Sequence, residues 1–533
     1  MKTRYRILGA LILTMSFTGC QSTDDLLSVV SPTTVSDAIF WTQEADASLF
    51  VTGTYSALPS WFDVMGMDAF TDNAAVNRNF DNRYVFSDGS ADPQSAYARG
   101  IWVQYYNGVA RANILLANID RIPAAKIDPT RKARYIAEAK FLRGVFYLQL
   151  VSLWGDVPMP LVPVTDAEAR ALTNTPATKI YDQILADFDA AAAVLPLSYT
   201  GADVGRATKG AALAFKARAA LYDNRNQIAA DAAKAVMDLG RYSLHPNYAQ
   251  LFSYAGENSP EIIFTHTYAK TAQATGQNNN IFGEYGPPTN SAAGHVVPTR
   301  NLVDAYQMTD GQPITTSPLF DPAWDKMYNN RDPRLAATIL YPTASWDGGV
   351  FDSRPLGLST KPEAINPGNE NVSVTGYNIR KYIDLTDKAD RGNGGIDFIL
   401  MRYADVLLMY AEAKVALGQP DADALAAFNL VRTRPTVNMP PLTTLTQADV
   451  RQERRVELAF EGLRLLDIRR WKIAAQVMPV PAVTGIDYID ASGTKVTAQQ
   501  PASARAFPAR AYLWPLPQSE LDLNKNLKQN TGY

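Results

Sequence analysis

Three glutamates fall at intervals of four near the end of the chain, Glu453, Glu457 and Glu461, inside a run at 453–471 that is charged and apolar together. On a helix that spacing stacks three carboxylates along one side. Such a row suits acid–base chemistry, a metal ion or a structural ion-pair helix. Val456, Phe460, Leu463 and Leu466 trace an apolar stripe at helical period. Six arginines, Arg451, Arg454, Arg455, Arg464, Arg469 and Arg470, are close enough in sequence to answer the carboxylates, and the run holds no histidine or cysteine. That balance favours a paired charge network over a metal site.

Other sets of reactive side chains are sparse. Asp68 with Asp72, or Glu284 with Asp325, could be nominated as a glycosidase pair, but nothing in the sequence fixes their separation. No Gly-x-Ser-x-Gly elbow, P-loop or dinucleotide glycine fingerprint is present. His245, His266 and His295 are scattered without metal spacing. Asp68, Asp72, Asn73 and Asp81 would supply oxygen ligands to calcium, yet they lack EF-hand spacing. The expectation is therefore no catalysis, no metal and no cofactor.

Composition points toward binding. The chain has 533 residues, 47% hydrophobic and 19% charged, as a folded protein with a large core requires. A net charge of -3 leaves no broad basic field, so nucleic acid is not an expected partner. There are 26 Tyr and 8 Trp against 3 His and 1 Cys. Such poverty in His and Cys disfavours a zinc site and excludes an intramolecular disulfide. Plentiful rings with polar edges suit flat, amphipathic ligands such as sugars.

The single cysteine follows a basic start at Lys2, Arg4 and Arg6 and an apolar run at 7–17. That run is too short to span a bilayer, so residues 1–19 read as a signal peptide and 20–35 as a tether. The ending Phe17-Thr-Gly-Cys20 resembles a lipobox, which would make Cys20 the lipid-bearing residue of a bacterial lipoprotein. Asp24 and Asp25 resemble the surface-export signal of Bacteroidetes lipoproteins. The alternative is a lone buried thiol behind an ordinary signal.

Beyond the tether, helical period dominates the chain. Residues 36–58 read as a first helix capped by Ser36, and 100–122 and 136–153 as a long antiparallel pair stopped before Pro158 and Pro160. Further helices are expected at 180–195, 210–222, 229–239, 403–417 and 422–432, with small residues where they must approach closely. Pairs of about 34 residues suggest tetratricopeptide-like repeats. Two stretches break the pattern, 61–99 and 251–397, which mix Asp, Asn and Gly with aromatic rings and carry only short β-like pieces such as 261–265. The expected architecture is mainly α, a helix-pair superhelix at about 36–60, 100–240 and 400–475 within one domain at 36–533. An irregular ligand-binding part occupies about 61–99 and 251–397. Helices hold and loops bind.

On those loops the candidate stacking rings are Trp61, Tyr84, Tyr285, Trp324 and Trp346, and the candidate hydroxyl partners are Asp72, Asn73, Arg78, Asn279 and Asn280. Trp102, Trp154 and Trp471 sit in helical contexts and are expected in the core.

Several stretches together resemble the SusD/RagB family of outer-membrane nutrient-binding lipoproteins. They are Glu138-Ala-Lys-Phe-Leu-Arg143 with Gly155-Asp-Val-Pro158, Gly205-Arg-Ala-Thr-Lys209, 402–413, Asn429-Leu-Val-Arg432, 453–471, Trp514-Pro-Leu-Pro517 and Gln529-Asn-Thr-Gly-Tyr533. Trp154 stands where tyrosine is common, and Thr531 where proline is common. The resemblance implies four tetratricopeptide-like units packed against an irregular ligand-binding half. It also implies a lipid-anchored protein of the outer membrane, facing the exterior, that captures oligosaccharide for a SusC-like TonB-dependent transporter. No binding residue carries over by motif. A protein- or peptide-binding scaffold, capture of peptide nutrients and a surface hydrolase stand as the alternatives.

Overall fold

The computed structural model describes residues 40–77, 82–270, 278–324, 326–355, 364–365, 372–490, 492–500 and 504–533. The signal peptide and tether, Cys20, Ser36, Arg78, Asp81 and Asp325 lie outside the described residues.

The scaffold is a ladder of helices: α1 (Glu44–Tyr55), α2 (Ala96–Asn118), α3 (Pro129–Trp154), α4 (Ala177–Val194), α5 (Lys209–Tyr222) and α6 (Asn226–Asp238), continued by α7 (Tyr403–Ala416), α8 (Ala422–Arg432), α9 (Gln447–Glu457) and α10 (Arg464–Arg470). Each of α2 to α6 packs on the next in sequence, and α7 then packs on α6, so the chain rejoins the ladder where it left it more than 160 residues earlier. The mainly α superhelix read from periodicity is the observed one.

Local chemistry sets these boundaries. Asp128 caps α3, accepting from Arg131 N at 2.9 Å, with Pro129 at its first turn; Gly155, at φ +73°, ends it. On α5, Ala211, Ala212, Ala214, Ala217, Ala219 and Ala220 are sealed from solvent, which lets the four neighbouring helices α3, α4, α6 and α7 close on it. Where α2 crosses α3, a Cβ on Gly108 would stand 2.5 Å from the Phe146 ring, so only glycine allows that approach.

Trp102 and Trp154 meet edge to face at 5.2 Å, and Trp154 meets Trp514 at 5.3 Å while donating from Nε1 to Pro515 O. This knot ties the C-terminal arm to the scaffold. Trp102 and Trp154 are core, as expected, and Trp471 is buried against α7, donating to Glu412 at 2.6 Å.

The remaining half is built of loops and short antiparallel pairs: β1 (Ala74–Val76) with β3 (Val296–Pro298), β2 (Ile262–His266) with β4 (Phe398–Arg402), and the hairpin of β5 (Val483–Ile489) and β6 (Lys495–Gln500).

Two expectations need correction. The stretch 61–99 is not a free loop: it contains a helix at Trp61–Gly66, a 3-10 turn at Met67–Phe70 and β1, nearly all buried. The run 453–471 is not one helix. α9 stops at Glu457, the chain turns through Phe460 (φ +62°) and Gly462 (φ +71°), and α10 starts at Arg464. Glu461 therefore lies off the helix that carries Glu453 and Glu457.

Candidate functional site

The charged run is architecture, wired differently from its sequence. Glu457 accepts from Arg402 at 2.7 Å, from Arg434 at 2.8 Å and from Arg334 at 2.8 Å. Glu453 accepts from Arg334 and Arg432, and Glu461 from Arg402 and Lys381. With Glu261 and Asp332, five carboxylates face the five cations Arg334, Lys381, Arg402, Arg432 and Arg434, all buried. Burial would raise the Glu457 carboxyl, but Arg434, Arg402 and Arg334 hold it well below the usual range, so it stays ionised. The nearby arginines answer other partners. Arg454 reaches Asp405 and Asp467, Arg455 and Arg464 converge on Asp72, and Arg470 grips Glu412. Arg469 donates to Ala511 O, and Arg451 lies over the Trp471 ring.

Most of the loop residues nominated as ligand contacts are also committed to the fold. Asp72 is clamped by Arg464 through two hydrogen bonds of 2.8 and 2.9 Å. Asn73 accepts from Arg455. Trp61 and Tyr285 meet edge to face at 5.7 Å, and Tyr285, sealed from solvent, donates to Phe62 O at 2.8 Å. Asn279 donates to Ile396 O, and Asn280 to Glu284. Trp346 is buried and donates from Nε1 to Asn290 at 2.8 Å. Apart from the buried Asn73 Nδ2, the polar groups named here have partners, and their rings face the interior, because a segment with no apolar period of its own is buried by pairing its polar groups.

The nominated carboxylate pairs fare alike. Asp68 is sealed from solvent and accepts from the Phe460 N–H. Burial pushes its carboxyl up to about 7. Glu284 lies against His295 at 2.9 Å.

Of the nominated rings, Tyr84 and Trp324 are exposed, by 44% and 46%. Trp324 stands in a cleft of about 250 Å³ formed by three separate stretches, residues 322–324, residues 354–355, and Asp487, Tyr488, Ile489 and Lys495 of the β5–β6 hairpin. Under the indole lies the Arg354 guanidinium, its Cζ 3.8 Å from the ring centre. Arg354 is in turn held flat by Asp352, donating from Nε at 2.7 Å and Nη2 at 2.6 Å. A carboxylate thus fixes a guanidinium, and the guanidinium supports a ring.

The hairpin forms the opposite wall. Ile486 N donates to Thr375 O, which anchors its base, and Asp490 closes its tip by accepting from Ser492 N and Thr494 N. Tyr488 and the exposed Ile489 add apolar surface. Asp487 accepts from Thr497 Oγ1 at 2.7 Å and lies 3.3 Å from Lys495 Nζ. Burial would raise the Asp487 carboxyl, but Thr497, Arg300 and Lys495 keep it below the ordinary value. Sequence reading missed Arg354, Tyr488 and Lys495. The Asp490–Gly493 turn between β-prone runs was the signal for the hairpin, whereas nothing local links it to Trp324.

A larger concavity of about 550 Å³ runs along the scaffold between α2 and residues 158–172, lined by Trp102, Tyr106, Val162, Val164 and Leu523.

Residues 260–533 match the family described as "SusD family", and residues 41–221 match "Starch-binding associating with outer membrane". A SusD-like protein of Formosa agariphila is 27% identical over 89% of this chain and 91% of its own length. The crystal structure of a SusD-like carbohydrate binding protein from Bacteroides fragilis is 30% identical, covering 92% of this chain and 100% of that one, with a TM-score of 0.82. A second SusD-like protein of that organism is 27% identical over 94% of this chain and 99% of its own, with a TM-score of 0.79.

Proposed function

The chain belongs to the SusD family, and from that premise we propose that it is a glycan-binding lipoprotein of the outer-membrane surface. In this reading Cys20 carries the lipid anchor, and captured oligosaccharide passes to a SusC-like TonB-dependent transporter. Outer-membrane association is supported by the second family description, and the ligand class by the carbohydrate-binding relative.

The observation that carries the binding step is Trp324, a half-exposed indole braced from below in an open cleft. A pyranose stacks its C–H face on such a ring and turns its hydroxyls to the polar groups at the cleft wall. No catalytic role is assigned, since a glycosidase pair needs two carboxylates in an open groove. Asp68 is instead enclosed and Asp72 is locked between arginines.

The scaffold groove beside α2 favours a second role, contact with a protein partner, through its exposed Val103, Val162 and Leu523. A panel of immobilised polysaccharides separates the readings. Retention of the full chain, abolished in Trp324→Ala, is the expected result. Retention on none of them would leave the protein- or peptide-binding scaffold as the reading. Release of reducing sugar would turn it into a hydrolase.

A further inference from the structure

The β5–β6 hairpin brings one carboxylate to the Trp324 cleft and fixes it there. Its register pairs Asp487 with Thr497 and Ile489 with Lys495, so these four side chains stand on one face of the hairpin. Asp487, Ile489 and Lys495 of that face line the cleft, and Tyr488 joins them. Asp487 is the one acidic side chain among the described lining residues. One of its oxygens accepts from Thr497 Oγ1 at 2.7 Å, and the other lies 3.3 Å from Lys495 Nζ and 3.6 Å from Arg300. Burial would raise the carboxyl, but Thr497, Arg300 and Lys495 hold it below the ordinary value, so the group is ionised and only accepts. A carboxylate offers about four acceptor sites, and Thr497 and Lys495 leave part of that capacity to a ligand.

We infer that Asp487 is the specificity-determining residue of this cleft, accepting from a free hydroxyl of the sugar ring stacked on Trp324 while Lys495 donates to an adjacent sugar oxygen. The inference rests on the reading of Trp324 as the glycan platform and adds which group of the sugar is read, and by what. The other polar groups in the lining do not discriminate between oxygens. The buried Arg354 Nη1 has no partner among the described residues, and Lys495, with 61% of its side chain exposed, has donors beyond its contact with Asp487. Donors of this kind serve a hydroxyl, an ether, an ester or a carboxylate alike. The Tyr488 hydroxyl both donates and accepts, so it too takes either kind of partner. Asp487 needs a proton from the ligand. A hydroxyl supplies one, whereas an O-methyl or O-acetyl group has none and would leave the carboxylate covered without a partner. The bond from hydroxyl to carboxylate is charge-assisted, roughly twice as strong as a neutral one. Selection therefore falls on whether the ring carries an unsubstituted hydroxyl where Asp487 meets it.

The test is calorimetry of the full chain, Trp324→Ala and Asp487→Asn against starch, xylan, galactan, laminarin and dextran, each in native and O-methylated form. The melting temperature of each variant is read alongside. O-methylation removes the hydroxyl proton, adds no charge and keeps the apolar ring face. Asp487→Asn keeps the shape and an acceptor oxygen and removes the charge. The expected result is at least one native polymer whose affinity falls about tenfold or more in Trp324→Ala and about tenfold in Asp487→Asn. On the O-methylated form of that polymer, wild type and Asp487→Asn should bind equally weakly, and Asp487→Asn should melt near wild type. Wild-type affinity in Asp487→Asn for a polymer that depends on Trp324 overturns the assignment to Asp487 while keeping the glycan platform. A gap between wild type and Asp487→Asn of the same size on native and O-methylated polymer also overturns it, since Asp487 would then only brace the hairpin. Binding that survives Trp324→Ala, or no binding to any of the polymers, removes the platform and this inference with it.

Discussion

Arg402 donates from Nη1 to Glu457 Oε1 across 2.7 Å, and neither side chain reaches solvent. Arg402 ends β4 at the edge of the loop-rich half, and Glu457 is the last residue of α9. The pair and its neighbours therefore join the two halves of the fold. Glu457→Ala would take from Arg334, Arg402 and Arg434 the one carboxylate that all three share, leaving Arg434 with Glu261 alone. Loss of one partner of a buried pair costs about 3–5 kcal/mol. Urea unfolding should show that loss, while the affinity of the protein that remains folded changes less than twofold. A wild-type midpoint for Glu457→Ala would contradict a structural role.

Asp68 gives the fold a pH dependence of defined sign. Burial pushes its carboxyl up to about 7 from an ordinary 3.8, against the Phe460 N–H, Lys381 and Arg464. The folded state thus keeps a proton that the unfolded chain has already released. Its stabilising contribution is full below pH 3.8 and is lost as pH rises through about 7. Asp68→Asn keeps an oxygen for the Phe460 N–H and removes the ionisation. The variant should melt higher than wild type at pH 8 and close to it at pH 4. A gap that is equal at both values, or reversed, would show that Asp68 is ionised in the fold throughout.

Helices were legible where an apolar period ran between clear stops. Residues 422–432 form α8 with both ends as expected, since Asp421 caps its start, accepting from Ala424 N. The charged run was legible as an ion-pair network but not in its wiring. Glu457 finds Arg402 and Arg334, 55 and 123 positions away, and spacing along a chain says nothing about such pairs. In the loops, amides and carboxylates among aromatic rings read as a sugar site, yet Asp72, Asn73 and Tyr285 show the same composition serving a buried segment that must satisfy its own polar groups. Exposure separates the two cases, and exposure is a property of the assembled fold. The Trp324 cleft was half legible: the ring stood out, but its support and its wall come from residues 30 and about 160 positions further on.

Two aromatic residues nominated by the same reasoning should respond in opposite ways. Tyr285 is enclosed, packed on Trp61 and Phe62, and hydrogen-bonded to Phe62 O. Truncating a buried ring to alanine costs about 3–5 kcal/mol, so Tyr285→Ala should lower the unfolding midpoint sharply. Trp324→Ala removes a half-exposed ring and one cation–π contact, together about 1 kcal/mol or less. It should melt near wild type while losing glycan retention. A large stability loss in Trp324→Ala would assign that ring to the core.

Arg354 separates support from charge. Arg354→Ala removes the plane beneath Trp324, but it also strands the buried Asp352 carboxylate, which would destabilise the protein for a reason unrelated to binding. Asp352→Asn combined with Arg354→Gln removes both charges together and keeps side chains of similar size. If the guanidinium only neutralises Asp352, the double variant should hold the wild-type affinity. If it fixes the indole, the double variant should recover most of the stability that Arg354→Ala loses, yet bind about fivefold more weakly, as a stacking contribution of roughly 1 kcal/mol requires. Tryptophan emission reports the same difference, because a ring released from its support relaxes toward solvent and shifts to longer wavelength. Weakened binding with a red-shifted spectrum and a recovered midpoint is the expected combination. Full affinity in the double variant would reduce Arg354 to a counterion.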